Sequence, residues 1–449
     1  MQSHSARRQL WPDQWQNGTQ GSAAQAEACY IRRHSRWYER LLLGLPFQML
    51  VGLPLVLMLP ALLRWGWEFW FNLTDPRLNT LAVIGLSFIA IVCTLRRLAR
   101  FPGAQVAAYI FPVVSLVFLI SIAILFFARE SYTRYTMLGG YVLCLLWFFA
   151  GYFIGRRYRR MRLAVVPIGE AARLRGANQV ELLSLGEPEL GSTRVDGVVA
   201  DLRSDSLGPE WERFLAKCTL HRIPVYHIKQ INESMSGRVR IDHLSENEFG
   251  SLMPSPVYES VKRLVDFLGA LVLLPLAAPI MLVTACLIRW DSPGPALFVQ
   301  SRMGYRGIPF KVYKFRSMRC DIEGKGFTDG ENDPRITRVG RVIRKYRIDE
   351  LPQLFNVLKG DMSFIGPRPE SMRLSEWYEK DVPFFSYRHI VRPGISGWAQ
   401  VEQGYAAEID GMVKKLQYDF YYIKHFSLWI DVLIVFKTLR TICTGHGAR

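Results

Sequence analysis

Cysteine is sparse in this chain of 449 residues. The seven cysteines, at 29, 93, 144, 218, 286, 320 and 443, are odd in number, scattered, and form no CxxC pair. A secreted scaffold held by disulfides is therefore excluded, and the thiols read as buried groups in a reducing setting. Eight histidines show neither HExxH nor any paired metal spacing, so His389 and His425 read as structural. Ser301, Ser317 and Ser363 have no Gly-x-Ser-x-Gly setting, which removes the usual nucleophilic serine. Acidic residues are also short: 39 Asp and Glu face 56 Lys and Arg, a formal charge of +17. That balance suits an anionic membrane surface or a phosphate-bearing substrate. Half the residues are hydrophobic and 13% are aromatic, so a disordered chain is excluded. The length suggests about three units. Residues 1–40 lack the compact charged-then-apolar pattern of a cleaved leader and read as a flexible cytosolic tail.

Long apolar runs are plentiful. Leu41–Leu63 has 23 residues without a charge, Leu78–Leu95 has 18, Ala104–Ala128 has 25 and Tyr135–Ile154 has 20. Each can cross about 30 Å of hydrocarbon as a helix. Cations fix the expected orientation. Arg32, Arg33, Arg36 and Arg40 precede the first run; Arg96, Arg97 and Arg100 lie between the second and third; Arg156, Arg157, Arg159, Arg160 and Arg162 follow the fourth. The other two connections mix Arg with Glu or Asp. Four transmembrane helices over 41–155, with both ends cytosolic, satisfy the positive-inside rule.

Residues 161–250 alternate short β-rich runs (from Leu163, Val195 and Ile223) with a helical stretch at Trp211–Leu220. This predicts a small cytosolic α/β domain with a parallel, Rossmann-like sheet. It lacks Gly-x-Gly-x-x-Gly after its first strand, so backbone amides have no turn through which to approach a pyrophosphate. A structural or regulatory role is expected, in place of a nucleotide-sugar oxidoreductase.

A fifth apolar run, Leu264–Ile288, has cations at both ends (Lys262 and Arg263 before, Arg289 after) and Pro275 and Pro279 near its middle. Neither end looks translocated, and two prolines a turn apart can break a helix. A re-entrant helix over 258–290 is therefore expected, with Asp266 at the interface beside Lys262 or Arg263.

Residues 291–449 carry the chemistry. Arg335, Arg338, Arg341 and Arg344 recur every third residue and should share one side of a helix facing an anion or lipid headgroups. Asp349-Glu350 follows directly, with Asp349 expected near a helix N-cap and Pro352 in the first turn. Amid Arg344, Lys345 and Arg347, Asp349 should stay ionised with a lowered pKa. Such a carboxylate can attack phosphorus, and a second acid beside it can bind a metal or move a proton. Arg368, held between Pro367 and Pro369, suits a phosphate clamp. Lys311, Lys314 and Arg316 lie on an expected strand whose cationic face would line the same pocket. Nucleic acid is not an expected partner, because these cations sit beside a membrane segment.

Seven ordered motifs then carry a resemblance: Lys262-Arg-Leu-Val-Asp-Phe, Ser292-Pro-Gly-Pro, Lys314-Phe-Arg-Ser-Met, Asp349-Glu-Leu-Pro-Gln-Leu, Gly360-Asp-Met-Ser, Gly366-Pro-Arg-Pro and Arg392-Pro-Gly-Ile-Ser-Gly-Trp-Ala-Gln. Across about 258–444 the chain resembles the catalytic domain of bacterial polyprenyl-phosphate hexose-1-phosphate transferases, the long-form monotopic-type phosphoglycosyl transferases that prime exopolysaccharide, capsule and O-antigen synthesis. The four spans and α/β domain resemble long-form members by layout. The resemblance implies a bacterial inner-membrane enzyme whose catalytic domain lies on the cytosolic face. Asp349 would attack the β-phosphate of a UDP-hexose, with Mg²⁺ at Asp349 and Glu350. UMP would leave, and undecaprenyl phosphate would then take the phosphosugar from Asp349. Glucose or galactose is the expected sugar. Lys314, Arg344 and Arg368 match phosphate-holding cations of the family, and Ala278-Pro279 matches its helix break. The C-terminal run Tyr418–Leu439 resembles its membrane-surface helices. The sequence leaves a homo-oligomer open. The competing reading is a non-catalytic membrane scaffold of a polysaccharide assembly complex, against which an intact Asp349-Glu350 and Arg368 argue.

Overall fold

The computed structural model describes residues 44–71, 73–99, 106–158, 161–174, 180–191, 193–240, 253–319, 333–403 and 409–444. The expected tail at 1–40 and the cations at Arg100, Arg159 and Arg160 lie outside them. Five helices are long and apolar enough to cross a membrane, and with the mixed α/β part they make this a membrane protein. The first four are α1 (Leu45–Trp65), α2 (Asp75–Leu98), α3 (Val106–Phe127) and α4 (Arg134–Tyr158). Pro46 and Pro54 bracket a π-helical stretch of α1 at Gln48–Gly52, where missing amides disturb the regular ladder. Small residues bring these helices close. Gly139 lies against Pro60, and a Cβ at Gly140 would stand 2.8 Å from Ile84. Hydroxyl pairs Ser87–Ser121 and Ser115–Tyr141, each 2.9 Å, satisfy polar groups between helices, as apolar surroundings demand. Phe88 and Phe148 stack with ring centroids 5.3 Å apart.

The chain divides into two compact units, with residues 1–55 and 150–232 in one and residues 56–149 and 233–449 in the other. The first unit contains β1 (Met161–Val165), β2 (Val180–Ser184), β3 (Gly197–Ala200), helix α5 (Pro209–Leu220) and β4 (Val225–His227). All pairings are parallel, in the order β2-β1-β3-β4, a doubly wound order. Its core joins Ala164, Val166, Val198, Ala200, Phe214, Cys218 and Ile223. Where a dinucleotide fold places glycines for a phosphate, Gly169 (φ +61) instead makes room for Asp201, whose carboxylate accepts from the Glu170 amide at 3.0 Å.

The second unit continues through α6 (Pro256–Asp291), the antiparallel hairpin β5 (Leu297–Met303) and β6 (Pro309–Phe315), α7 (Arg338–Lys345), a 3₁₀ helix at Ile348–Gln353 and α8 (Leu354–Lys359). After these come β7 (Ser363–Ile365), α9 (Met372–Asp381), β8 (Gly394–Ser396) parallel to β7, α10 (Ile409–Lys424) and α11 (Leu428–Thr444).

Both halves of α6 pack on β6 and its neighbours. Ala270 shares a core with Val312, Val357 and Met362, and Ile288 shares one with Phe315 and Ile343. The base of α6 is fixed by ions. Lys262 pairs with Asp431 at 2.5 Å, and Arg263 donates to the carbonyls of Val357 and Leu358. Asp266 is buried and accepts from the Phe364 amide at 3.3 Å. That hydrogen bond ties it to β7, while Lys262 and Arg263 line the same small pocket beside it.

The expected C-terminal helices are α10 and α11, in which Phe420, Tyr421, Tyr422, Ile423, Ile430, Leu433 and Ile434 are buried while Leu428, Val435 and Leu439 are exposed. The arginine stripe differs from its expectation. Arg335 lies outside α7, because Thr337 caps that helix by accepting from the Gly340 amide. Arg335 instead grips Asp333 at 2.7 Å.

Candidate active site

Asp349 and Glu350 sit in the first turn of the 3₁₀ helix, entered through Arg347 in the left-handed conformation (φ 55). Asp349 is therefore inside the helix and does not cap it. A left-handed non-glycine residue costs about 1–2 kcal/mol, so the surrounding packing fixes this entry. Gly360 (φ 92) ends α8, as a left-handed C-terminal glycine commonly does.

Glu350 is buried, at 7% exposure. Its Oε1 accepts from Arg368 at 2.7 Å and lies 3.4 Å from the Lys314 ammonium. Burial alone would raise its pKa, but Arg368, Lys314 and Arg347 outweigh it and hold the carboxyl well below its ordinary range. Asp349 is half-buried and, among the described residues, receives no hydrogen bond. Burial and the neighbouring Glu350 charge push its pKa up to about 6, against the pull of Lys314, Arg368 and Arg344. This reverses the expected lowering: the cations are present, but desolvation and a second carboxylate win. Lys314 is pushed down to about 8, first by burial and then by Arg368.

The structure thus brings Asp349, Glu350, Lys314 and Arg368 together, with Arg344 in the last turn of α7 close enough to favour ionised Asp349. It does not bring in the whole cationic strand. Lys311 is exposed, and Arg316 is buried, donating to the Ser292 carbonyl (2.7 Å), the Ser292 hydroxyl (2.8 Å) and the Pro293 carbonyl (2.6 Å). A side chain at Gly294 would collide with Arg316, so Ser292-Pro-Gly-Pro is a seat for that arginine at the end of α6. Ala278 and Pro279 lie exposed in the middle of α6, apart from the carboxylates.

Arg302 and Asn356 complete the site, and neither stands out in the sequence. Asn356 is fully buried; it accepts from the Tyr313 amide at 3.1 Å and donates to the Lys311 carbonyl at 2.7 Å. It therefore latches β6, and with it Lys314, beside the carboxylates. Arg302 on β5 donates to the Pro369 carbonyl and to Gln300, and its charge acts on Lys314. On the other side Arg388, also buried, donates to the Arg368 carbonyl at 2.8 Å. Two arginines thus hold successive carbonyls of the Gly366-Pro-Arg-Pro loop. Behind them lie Glu370, Lys415 and Asp419. Burial would raise Glu370, but Lys415 and Arg388 hold its pKa at about 2. The loop also rests on bare backbone: a Cβ at Gly366 would stand 2.3 Å from the Arg392 carbonyl oxygen. Cross-chain backbone contacts of this kind have no periodic signature. The cue available for Arg302 was its two-residue phase with Gln300 and Phe298 on one strand face.

Two adjacent carboxylates amid four cations form a pocket whose charge suits a phosphate ester. The donor set also fits Mg²⁺. Glu350 Oε2 is buried without a hydrogen-bond partner, and Mg²⁺ is commonly held by one or two carboxylates with substrate phosphates and water. Among the described residues no group of three or more metal-ligating side chains forms a closed cage.

Comparison with known proteins places this geometry. The pattern of the family described as "Bacterial sugar transferase" matches residues 257–445. A UDP-N-acetylgalactosamine-undecaprenyl-phosphate N-acetylgalactosaminephosphotransferase of Aeromonas hydrophila is 53% identical over 421 residues, covering 94% of this chain and all of the relative. A UDP-glucose:undecaprenyl-phosphate glucose-1-phosphate transferase of Caulobacter vibrioides is 40% identical over 202 residues, 44% of this chain and 76% of the relative. One of the same name from Escherichia coli is 41% identical over 188 residues, 41% of this chain and 40% of the relative.

Proposed function

The chain belongs to the bacterial polyprenyl-phosphate sugar phosphotransferases, and on that premise we propose that it moves a sugar 1-phosphate from a UDP-sugar to undecaprenyl phosphate and so begins a surface polysaccharide. The observation that carries this is the pairing of Glu350 with Arg368 and Lys314 beside the half-buried Asp349.

Ionised Asp349 attacks the β-phosphorus of the donor. The bond from that phosphorus to the oxygen bridging the α-phosphate breaks, and UMP departs with the electron pair. The sugar phosphate remains as an acyl phosphate on Asp349. A phosphate oxygen of undecaprenyl phosphate then attacks the same phosphorus, Asp349 leaves as carboxylate, and undecaprenyl-diphospho-sugar is formed. Lys314, Arg368 and Arg344 offset charge on the transferring phosphoryl group. Glu350 keeps Arg368 and Lys314 oriented. Mg²⁺ held by Asp349 and Glu350 would neutralise further phosphate charge.

For the sugar, the near-full-length relative moves the proposal from glucose or galactose to N-acetylgalactosamine. For placement, we infer four spans, a re-entrant α6 and a catalytic domain on the cytosolic face of the inner membrane. Ala270 and Ile288 would be roughly 27 Å apart in a straight helix. Yet they share cores with Val312 and Phe315, which stand about 10 Å apart on one strand. A bend at Pro275 and Pro279 supports both contacts.

Membranes carrying the protein, given undecaprenyl phosphate, Mg²⁺ and UDP-N-acetylgalactosamine or UDP-glucose, test this by UMP release. The expected result is UMP from the wild type, faster with the acetamido sugar, and none from Asp349→Asn. Equal UMP from both proteins would move the nucleophile elsewhere.

A further inference from the structure

The acceptor of the proposed reaction is an amphiphile, and its phosphate must reach the cations while its chain stays in lipid. One face of β5 has that gradient. Residues two apart on a strand share a face, so Phe298, Gln300 and Arg302 line one side. Their cross-strand partners on the same face are Lys314, Val312 and Phe310. Arg302 and Lys314 belong to the cation cluster around Glu350. Phe298 stands directly opposite Lys314 yet is 49% exposed. Opposed residues of an antiparallel pair are about 5 Å apart, so apolar surface begins within one phosphate's width of the Lys314 backbone. Moving back along the chain, Trp290, at the end of apolar α6, is 87% exposed. An exposed tryptophan at the end of an apolar helix is typical of a membrane interface. The start of β5 is tied to that helix end, because Arg316 binds both the Ala296 carbonyl through its amide and the Ser292 and Pro293 carbonyls through its guanidinium. From the membrane end to the phosphate site the order is thus Trp290, Phe298, Gln300, Arg302: aromatic, aromatic, polar, cationic.

We propose that this face of β5 seats the acceptor lipid, with its phosphate toward Arg302 and Lys314 and its first isoprene units against Phe298. The inference rests on the transferase reading and adds the path of the chain. The occupant is a polyisoprenyl phosphate because only a ligand joining an anion to an apolar tail uses both ends of the strip.

Steady-state kinetics on the full-length protein in lipid micelles test it. Phe298→Asn should raise the KM for undecaprenyl phosphate about tenfold and leave the KM for the UDP-sugar within twofold. Phe298→Leu should stay close to wild type. Val299→Asn, on the opposite face of the strand, should leave both constants unchanged. An unchanged acceptor KM in Phe298→Asn, or an equal rise in both substrates' KM, overturns the proposal. A second readout does not depend on turnover. A benzophenone side chain placed at 298 should capture radiolabelled undecaprenyl phosphate on illumination, and one placed at 299 should not. Equal or no capture at 298 also overturns it. Failure of the wild type to transfer any sugar phosphate counts against the transferase reading itself, and capture at 298 still decides the chain path.

Discussion

At the scale of single residues, protonation sets the working range. In the proposed mechanism Asp349 attacks as a carboxylate, and burial and Glu350 push its pKa up to about 6, so kcat/KM should rise as pH climbs through that value. In the same mechanism Lys314 would hold phosphate as an ammonium, and burial pushes its pKa down to about 8, so the rate should fall above it. A pH profile should be bell-shaped between these limits, and Lys314→Arg should remove the alkaline limb. A profile flat from pH 5 to pH 9 would contradict both assignments. Arg368→Gln should slow turnover about 10²–10³-fold. It should also move the acid limb upward, because the lost guanidinium is one of the charges that favours ionised Asp349. The clustering of Asp349, Glu350, Lys314 and Arg368 agrees with the sequence, where the Asp-Glu pair amid cations, the proline-flanked Arg368 and the shared motifs singled them out. Their protonation was not legible there. Neighbours along the chain are visible in a sequence, but the burial that raises Asp349 is supplied by distant segments. Arg302 escaped for the same reason: its membership of the cluster follows from the β5–β6 register.

Elements were legible where a period or a length carries the signal. The apolar helices, β1, β3, β4, α5 and the strand holding Lys314 all have one. β7 and β8 have three residues each and pair through glycine-lined backbone, so no pattern reveals them. The arginine stripe was read one turn too long, since hydrogen bonding by Thr337, and not charge spacing, starts α7. That helix start makes a prediction. A Cβ at Gly340 would stand 2.0 Å from the Ser317 carbonyl oxygen, a backbone atom that cannot turn aside. Gly340→Ala should lower stability by about 1–3 kcal/mol and displace the segment that follows Lys314. A thermal melt in detergent matching the wild type would contradict this. Arg388 offers a larger effect. It is buried with Asp419 at 2.9 Å and supports Arg368 through its carbonyl. Arg388→Gln should cost about 3–5 kcal/mol, as loss of one partner in a buried pair does, and the same melt checks it.

For the whole molecule, sidedness decides whether the site can meet a nucleotide sugar. Cations flanking the apolar runs suggest an orientation from the sequence, whereas the bend proposed for α6 rests on contacts from both of its halves to one hairpin. In a cysteine-free background, Glu130→Cys should react with an impermeant maleimide added outside spheroplasts. Glu259→Cys and Trp290→Cys, near the two ends of α6, should both be protected until the cells are opened. External labelling at 290 but not at 259 would make α6 a true span and carry Asp349 to the wrong side for a nucleotide sugar. The central claim is nevertheless chemical: Asp349 carries the sugar phosphate between donor and acceptor. Intact-protein mass spectrometry of enzyme quenched after exposure to the UDP-sugar and Mg²⁺, with acceptor withheld, tests it most directly. The account predicts a mass gain of one phosphosugar, located at Asp349, lost when undecaprenyl phosphate is added and absent from Asp349→Asn. Transfer to lipid at full rate with no adduct on the wild type, or an adduct that persists in Asp349→Asn, would contradict it.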